Sequence, residues 1–141
     1  MFCLKKLAML SDNNLMDVIV IDDDKFMGNV FENLFKQEGI SYKLYDNPHE
    51  GLEVISKEQP RCAIVDYNMP LLNGDDLIVI SSQKLQFQHT DFIMITGEEF
   101  SDIERMKLMT LGFQYIFKKS ELRKGEFLSI IKQVLLQSKA A

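Results

Sequence analysis

Two cysteines in 141 residues, Cys3 and Cys62, are too few and too far apart in sequence for a disulfide framework. A reducing cytoplasm is the simplest compartment for such a chain. Long apolar runs are also missing. The longest extend over only a few residues, so the sequence offers nothing to span a membrane. Positive charge is in deficit: 16 Lys and Arg stand against 21 Asp and Glu, a net charge of -5. That balance argues against direct nucleic-acid binding, which needs cations to displace counterions. There is no internal repeat, low-complexity tract or linker followed by a second domain. What remains is the composition of a globular protein, with 46% hydrophobic and 26% charged residues. The length suggests one domain, large enough to bury roughly two-thirds of its unfolded surface in one core.

The N-terminus stands apart. Met1 to Leu10 is apolar but is cut by Lys5 and Lys6, and no small-residue cleavage site follows, so it does not read as a secretory signal. Ser11-Asp12-Asn13-Asn14 reads as a loop. Residues 1–15 are therefore taken as an extension, with the domain over 16–138 and a tail at 139–141. A short amphipathic helix for docking or self-association is the rival reading of the extension.

From Met16 onward strand and helix signals alternate. Val18-Ile19-Val20-Ile21 is a β-branched run suited to a strand buried on both faces, and it ends at Asp22-Asp23-Asp24. Phe26, Met27, Val30, Phe31, Leu34 and Phe35 recur at helical spacing, with Gly39 as a stop. Ile40 to Tyr45 is a more polar strand, suited to an edge. Asn47-Pro48-His49-Glu50 starts a helix that stops before Pro60. Cys62-Ala63-Ile64-Val65 is a third strand, ending in Asp66, and Asn68 to Gly74 is loop. A helix is expected from Leu77 to about Lys84, and a strand at Phe92 to Ile95 ends at Thr96-Gly97. Ser101-Asp102-Ile103-Glu104 matches a capping box, with Gly112 closing that helix. Tyr115-Ile116-Phe117 is a fifth strand, ending at Lys118, and Phe127, Ile130, Ile131, Val134 and Leu135 stripe a last helix. Five such units predict an α/β fold: a doubly wound five-stranded parallel sheet between two helical layers, with the flavodoxin-like strand order 2-1-3-4-5.

In such a sheet function lies beyond the carboxyl ends of the strands. The residues there are Asp22, Asp23, Asp24, Asp66, Thr96 and Lys118. Singly each has an ordinary role: Asp24 as a helix cap, Thr96 as a turn residue, Lys118 as a solvated charge. Together, three carboxylates repel unless a cation joins them, and hard oxygen ligands suit Mg²⁺. A carboxylate can act as a nucleophile toward phosphorus, while a hydroxyl and an ammonium can stabilise phosphoryl oxygens.

In this set of residues the sequence resembles the receiver domain of response regulators in two-component signal transduction, over about Asp17 to Gln137. The resemblance rests on Asp22-Asp23 after the first strand, Asp66-Tyr67-Asn68-Met69-Pro70 with Gly74, Thr96, Tyr115 and Lys118. It implies that Asp66 accepts a phosphoryl group from a phosphohistidine on a histidine kinase or phosphotransfer protein. It implies a Mg²⁺ site of Asp23 and Asp66, with Asp22 through water and the backbone carbonyl of Asn68. Thr96 and Tyr115 would be the switch residues, and Lys118 the conserved-type lysine. The output face would combine the helix opened by Ser101, the strand ending at Lys118 and the last helix, binding an unknown downstream protein. A homodimer is left open. Such a chain would be a phosphoacceptor with slow self-dephosphorylation rather than an enzyme, signalling as a single domain.

There are departures from the family pattern. Lys119 stands where the family has Pro after its lysine, so a trans bond is expected there and Lys119 can compete with Lys118 for the site. Asn68 and Glu98 occupy the two positions that tune phosphoryl lifetime in this family. His49 and His89 lack a kinase-like context, so the phosphoryl donor has to be another protein. The alternatives are a phosphorylation-independent interaction module on the same fold, an aspartate-nucleophile phosphatase with Asp22 as nucleophile, or a flavin or nucleotide binder. The last lacks a Gly-rich loop after the first strand.

Overall fold

A computed structural model describes residues 16–69 and 89–137 of the chain. Within them the alternating pattern becomes β1 (Val18–Ile21), α1 (Lys25–Phe35), β2 (Tyr42–Tyr45), α2 (Pro48–Glu58), β3 (Cys62–Asp66), β4 (Asp91–Thr96), α3 (Asp102–Leu111), β5 (Phe113–Lys118) and α4 (Glu126–Leu136). The extension over 1–15, the stretch from Pro70 through Gly74 to the expected Leu77–Lys84 helix, and the tail at 139–141 lie outside the described residues.

The five strands form one parallel sheet in the order β2-β1-β3-β4-β5. β1, β3 and β4 are buried along their whole length, as their uninterrupted apolar runs require. β2 lies at an edge and is only partly buried, which accounts for its lysine and tyrosines.

Strand alternation divides the core in two. Val18 and Val20 of β1, Cys62 and Ile64 of β3, and Ile93 and Ile95 of β4 pack with Met27, Val30, Phe31 and Phe35 of α1 and Phe127, Ile131 and Val134 of α4. Ile19, Ile21, Ala63, Val65, Phe92 and Met94 face the other way, with Ile55 of α2 and Leu108 of α3. Phe26 departs from its expected place: although it falls on the apolar period of α1, it is 63% exposed, one position off the buried stripe.

The helix signals act through identifiable bonds. The Asp24 carboxylate accepts from the Phe26 amide and caps α1. Asn47 Oδ1 accepts from the amides of His49 and Glu50, with Pro48 opening α2. Ser101 and Glu104 make the reciprocal capping box of α3. Gly112 closes α3 at φ 118° and Gly39 follows α1 at φ 65°, both in the left-handed region where glycine is favoured.

One glycine holds α2 against the end of β1. A Cβ added at Gly51 would lie 2.6 Å from Ile21 Cγ1 and 2.7 Å from its Cδ1. Ile21 is fully buried and immediately precedes Asp22. Substitution Gly51→Ala gains about 1 kcal/mol of helix propensity. It forces a core shift costing about 1–3 kcal/mol. We expect net destabilisation of about 1 kcal/mol in urea unfolding; a variant as stable as the parent would contradict this close contact.

Candidate functional site

The same alternation aims the strand ends. Asp22 continues the Val18, Val20 face of β1, and Asp66 continues the Cys62, Ile64 face of β3; Ile21 pairs with Val65, so the two acids emerge side by side. Both carboxylates are almost completely buried, at 1% exposure. Asp23, one residue further along, is exposed. Asp22, Asp23 and Asp66 each place one carboxylate oxygen within 4.8 Å of the others. A cleft of about 360 Å³ lined by Asp22, Asp23, Lys25, Lys43, Tyr45 and Asp46 opens beside them.

Each buried carboxylate is held at one oxygen by the chain that follows it. Asp22 Oδ1 accepts from the Asp24 amide at 2.9 Å, and Asp66 Oδ1 from the Asn68 amide at 3.1 Å. The other oxygens differ. Asp66 Oδ2 accepts from Lys119 Nζ at 3.2 Å. Asp22 Oδ2 is buried without a hydrogen bond, with Lys119 Nζ 3.5 Å away. Burial raises the Asp22 carboxyl from 3.8 to about 7; the neighbouring Asp66 charge adds to that rise, while the Asp24 amide and Lys119 oppose it. Burial pulls the Lys119 ammonium down, but the two carboxylates outweigh it and leave its affinity for a proton above the ordinary lysine value.

Thr96 reaches the acids through Asn68. It is buried at the end of β4, and its hydroxyl donates to Asn68 Oδ1 at 3.2 Å. The same Asn68 oxygen accepts from the Gly97 amide, and the Asn68 side-chain amide donates to Glu98 at 3.0 Å. The Asn68 side chain thus ties the loop after β3 to the loop after β4, while its backbone amide holds Asp66. Tyr115 is half-buried on β5, against the α1–α4 side of the core, with its ring 6.5 Å from that of Phe117.

Of the two lysines that end β5 and open the next turn, the one whose ammonium reaches the acids is Lys119, not the expected Lys118. Tyr115 and Phe117 point to the α1–α4 side, as Asp22 and Asp66 do, whereas Ile116 packs on the α2–α3 side. Lys118 follows Ile116 in parity and turns away, to an ion pair with Glu99 on the loop before α3. Lys119 begins the short 3-10 turn Lys119–Glu121 and returns to the acids. Every described peptide bond is trans, including the one joining these lysines. One partner escaped the sequence reading: Glu99, which has no motif signal. The position of Lys119 had a signal in strand parity.

The donor set fits a hard divalent cation: three carboxylates, two of them buried, one with a buried oxygen that lacks a hydrogen bond.

Known proteins resemble the chain over most of its length. The family model described as response regulator receiver domain matches residues 18–132. The regulatory protein VanR of Enterococcus faecium is 27% identical over 96 residues, 67% of this chain and 39% of VanR. The DNA-binding transcriptional regulator NtrC of Proteus hauseri is 24% identical over 119 residues, 84% of this chain and 24% of NtrC. The chain thus spans well under half the length of either relative. Among solved structures, a CheY-like receiver domain protein from Methanospirillum hungatei superposes with a TM-score of 0.71 at 20% identity, covering 86% of this chain and 94% of that one. The BeF3-activated N-terminal receiver domain of Klebsiella pneumoniae RstA gives 0.72 at 18% identity, covering 85% and 98%. These two likenesses establish the flavodoxin-like fold. With the acidic cluster at the ends of β1 and β3 and the family match over 18–132, the chain belongs to the response regulator receiver domain family.

Proposed function

We propose that this chain is the phosphoacceptor of a two-component or phosphorelay system, with Asp66 as the residue that carries the phosphoryl group. The observation that carries the reading is the burial of Asp66 beside Asp22, with one oxygen tied to the Asn68 amide and the other to an ammonium. A carboxylate fixed in this way is oriented for attack without further ordering of its side chain. An Asp66 oxygen bonds to phosphorus as the phosphorus–nitrogen bond of a partner's phosphohistidine breaks. The electron pair leaves with the imidazole nitrogen, which remains on the partner.

Asp22, Asp23 and Asp66, with the backbone carbonyl of Asn68, would hold Mg²⁺. When bound, the ion supplies charge to offset the phosphoryl oxygens. Thr96 is the switch hydroxyl in this reading. It gives up its bond to Asn68 for one to the phosphoryl group, and Tyr115 then turns inward on β5. The added charge favours one of two packings of the α3–β5–α4 face, where a downstream protein binds. In this reading the protein is a phosphoacceptor with slow self-dephosphorylation rather than an enzyme, and Asn68 and Glu98, bonded to each other, are the polar pair able to orient a hydrolytic water. A cytoplasmic location follows from this role and from the scarcity of cysteine. No helix of the described residues is long and apolar enough to cross a membrane.

Incubation with acetyl phosphate in the presence of Mg²⁺, followed by intact-mass measurement, should show the gain of one phosphoryl group, and chelation of the metal should prevent it. A protein that takes none under these conditions is an interaction module on the same fold. Repeated release of phosphate from small phosphomonoesters would favour the phosphatase reading instead.

A further inference from the structure

We propose that Lys119, standing at the family's proline position, is the cation that contacts the phosphoryl group, and that Lys118 has been reassigned to hold the loop after β4 through Glu99. The proposal deepens the phosphoacceptor reading and rests on it. Three observations carry it. Lys119 Nζ lies 3.2 Å from Asp66 Oδ2 and 3.5 Å from Asp22 Oδ2, so it already occupies the space between the two buried acids. The Lys118 ammonium is engaged by Glu99, and the Lys118 amide donates to Glu121, the last residue of the turn that begins with Lys119. The pairing of β4 with β5, after a register shift between Phe92 and Ile93, puts Tyr115 and Phe117 on the side of the sheet where Asp22 and Asp66 emerge and Ile116 on the other, and Lys119 follows in the turn beyond the strand.

The Lys118 backbone is extended, at φ -76° and ψ 144°, and the bond after it is trans, so Lys119 leaves the chain on the opposite side from Lys118, where Asp66 emerges. Lysine at 119 then supplies from the turn what the family's lysine supplies from the strand. During transfer Lys119 keeps its protons. It moves one hydrogen bond from Asp66 Oδ2 to a phosphoryl oxygen, with no net proton transfer. Before transfer, the same ammonium balances Asp22 and Asp66, so it competes with a divalent ion for these two acids.

The test compares Lys119→Ala, Lys119→Arg and Lys118→Ala with the unmodified protein by phosphorylation from acetyl phosphate, beryllofluoride binding and Mg²⁺ titration. Circular dichroism confirms that each variant is folded. Loss of Lys119 should slow phosphorylation and weaken beryllofluoride binding by about 100-fold, the usual effect of deleting one fixed donor to developing charge. Arginine should restore part of both, and Lys118→Ala should change either by no more than a few-fold. Mg²⁺ should bind more tightly to Lys119→Ala, since a competing cation is gone, and unchanged to Lys118→Ala. A 100-fold loss with Lys118→Ala, equal losses with both alanine variants, or no loss with Lys119→Ala would overturn the proposal. If the unmodified protein takes neither acetyl phosphate nor beryllofluoride, the phosphoacceptor reading fails. The Mg²⁺ comparison then still decides the placement: tighter binding only for Lys119→Ala upholds Lys119 between the acids, and any other pattern refutes it.

Discussion

Asp66→Asn should lose all covalent phosphorylation and remain folded. The amide is nearly the same size as the carboxylate, and its oxygen can still accept from the Asn68 amide that Asp66 Oδ1 engages at 3.1 Å. What disappears is the nucleophile, since an amide oxygen is far less nucleophilic and does not form a stable acyl phosphate. Two effects on stability oppose each other. Asp66 is one of the charges that push Asp22 up, so removing it relieves a like-charge contact between two buried groups. The amide nitrogen also replaces the oxygen that accepts from Lys119, which keeps only Asp22 as a partner, at 3.5 Å. We therefore expect the metal-free variant to melt close to the parent, with phosphoryl incorporation reduced to background. Intact mass and thermal unfolding on one preparation check both halves. Undiminished incorporation would place the nucleophile elsewhere, and gross unfolding would mean that Asp66 serves mainly to hold the fold.

The second large effect concerns Asp22 and links pH, metal and stability. The folded protein holds the Asp22 carboxyl at about 7 against 3.8 for an unperturbed group. Between those values the native state binds a proton that the unfolded chain has released. The stability of the metal-free protein should therefore fall as pH rises through this window and level off above it. Mg²⁺ requires the deprotonated acid, so its stabilisation should be greatest at the upper end, reaching ~2.7 kcal/mol when the ion is at about 100 times its Kd. Asp22→Asn should abolish most of this pH slope. Above the window the metal-free variant should be more stable than the parent by ~1 kcal/mol, because it removes a buried charge whose Oδ2 lacks a hydrogen bond. The same variant should lose most of the Mg²⁺ response. Melting curves of the two proteins with and without the ion, in buffers bracketing the window, decide the matter. A flat profile for the metal-free parent, or a Mg²⁺ shift undiminished in the variant, would contradict the assignment of Asp22.

The course of the chain was legible where a single local signal was strong. Val18–Ile21 and Cys62–Val65 declared buried strands through unbroken apolar runs. Asn47 with Pro48, and Ser101 with Glu104, announced helix starts that the structure makes with those same side chains. Where burial depended on the neighbour, the sequence said less. Phe26 fits the apolar period of α1 but stands one position off its buried stripe, and nothing in a helical repeat distinguishes its edge from its centre. The acidic pair and Asp66 could be found because they terminate strands whose register aligns their ends. The two lysines could not be ranked in the same way. Which side of the sheet residue 118 serves depends on the irregular pairing of β4 with β5, and no residue type in either strand marks that shift. A motif read by order alone points to Lys118. Alternation followed through Tyr115 and Phe117 points to Lys119, but only once those rings are known to lie on the same side as Asp66.

Chemical trapping at the site gives the most direct test of the central claim, that the buried carboxylate at the end of β3 is the phosphoacceptor. Borohydride reduces an aspartyl phosphate to homoserine, and peptide sequencing then locates the converted residue. After incubation with Mg²⁺ and acetyl phosphate, conversion should occur at Asp66 and nowhere else. Homoserine at Asp22, or its absence from a protein that has gained a phosphoryl group, would contradict the account.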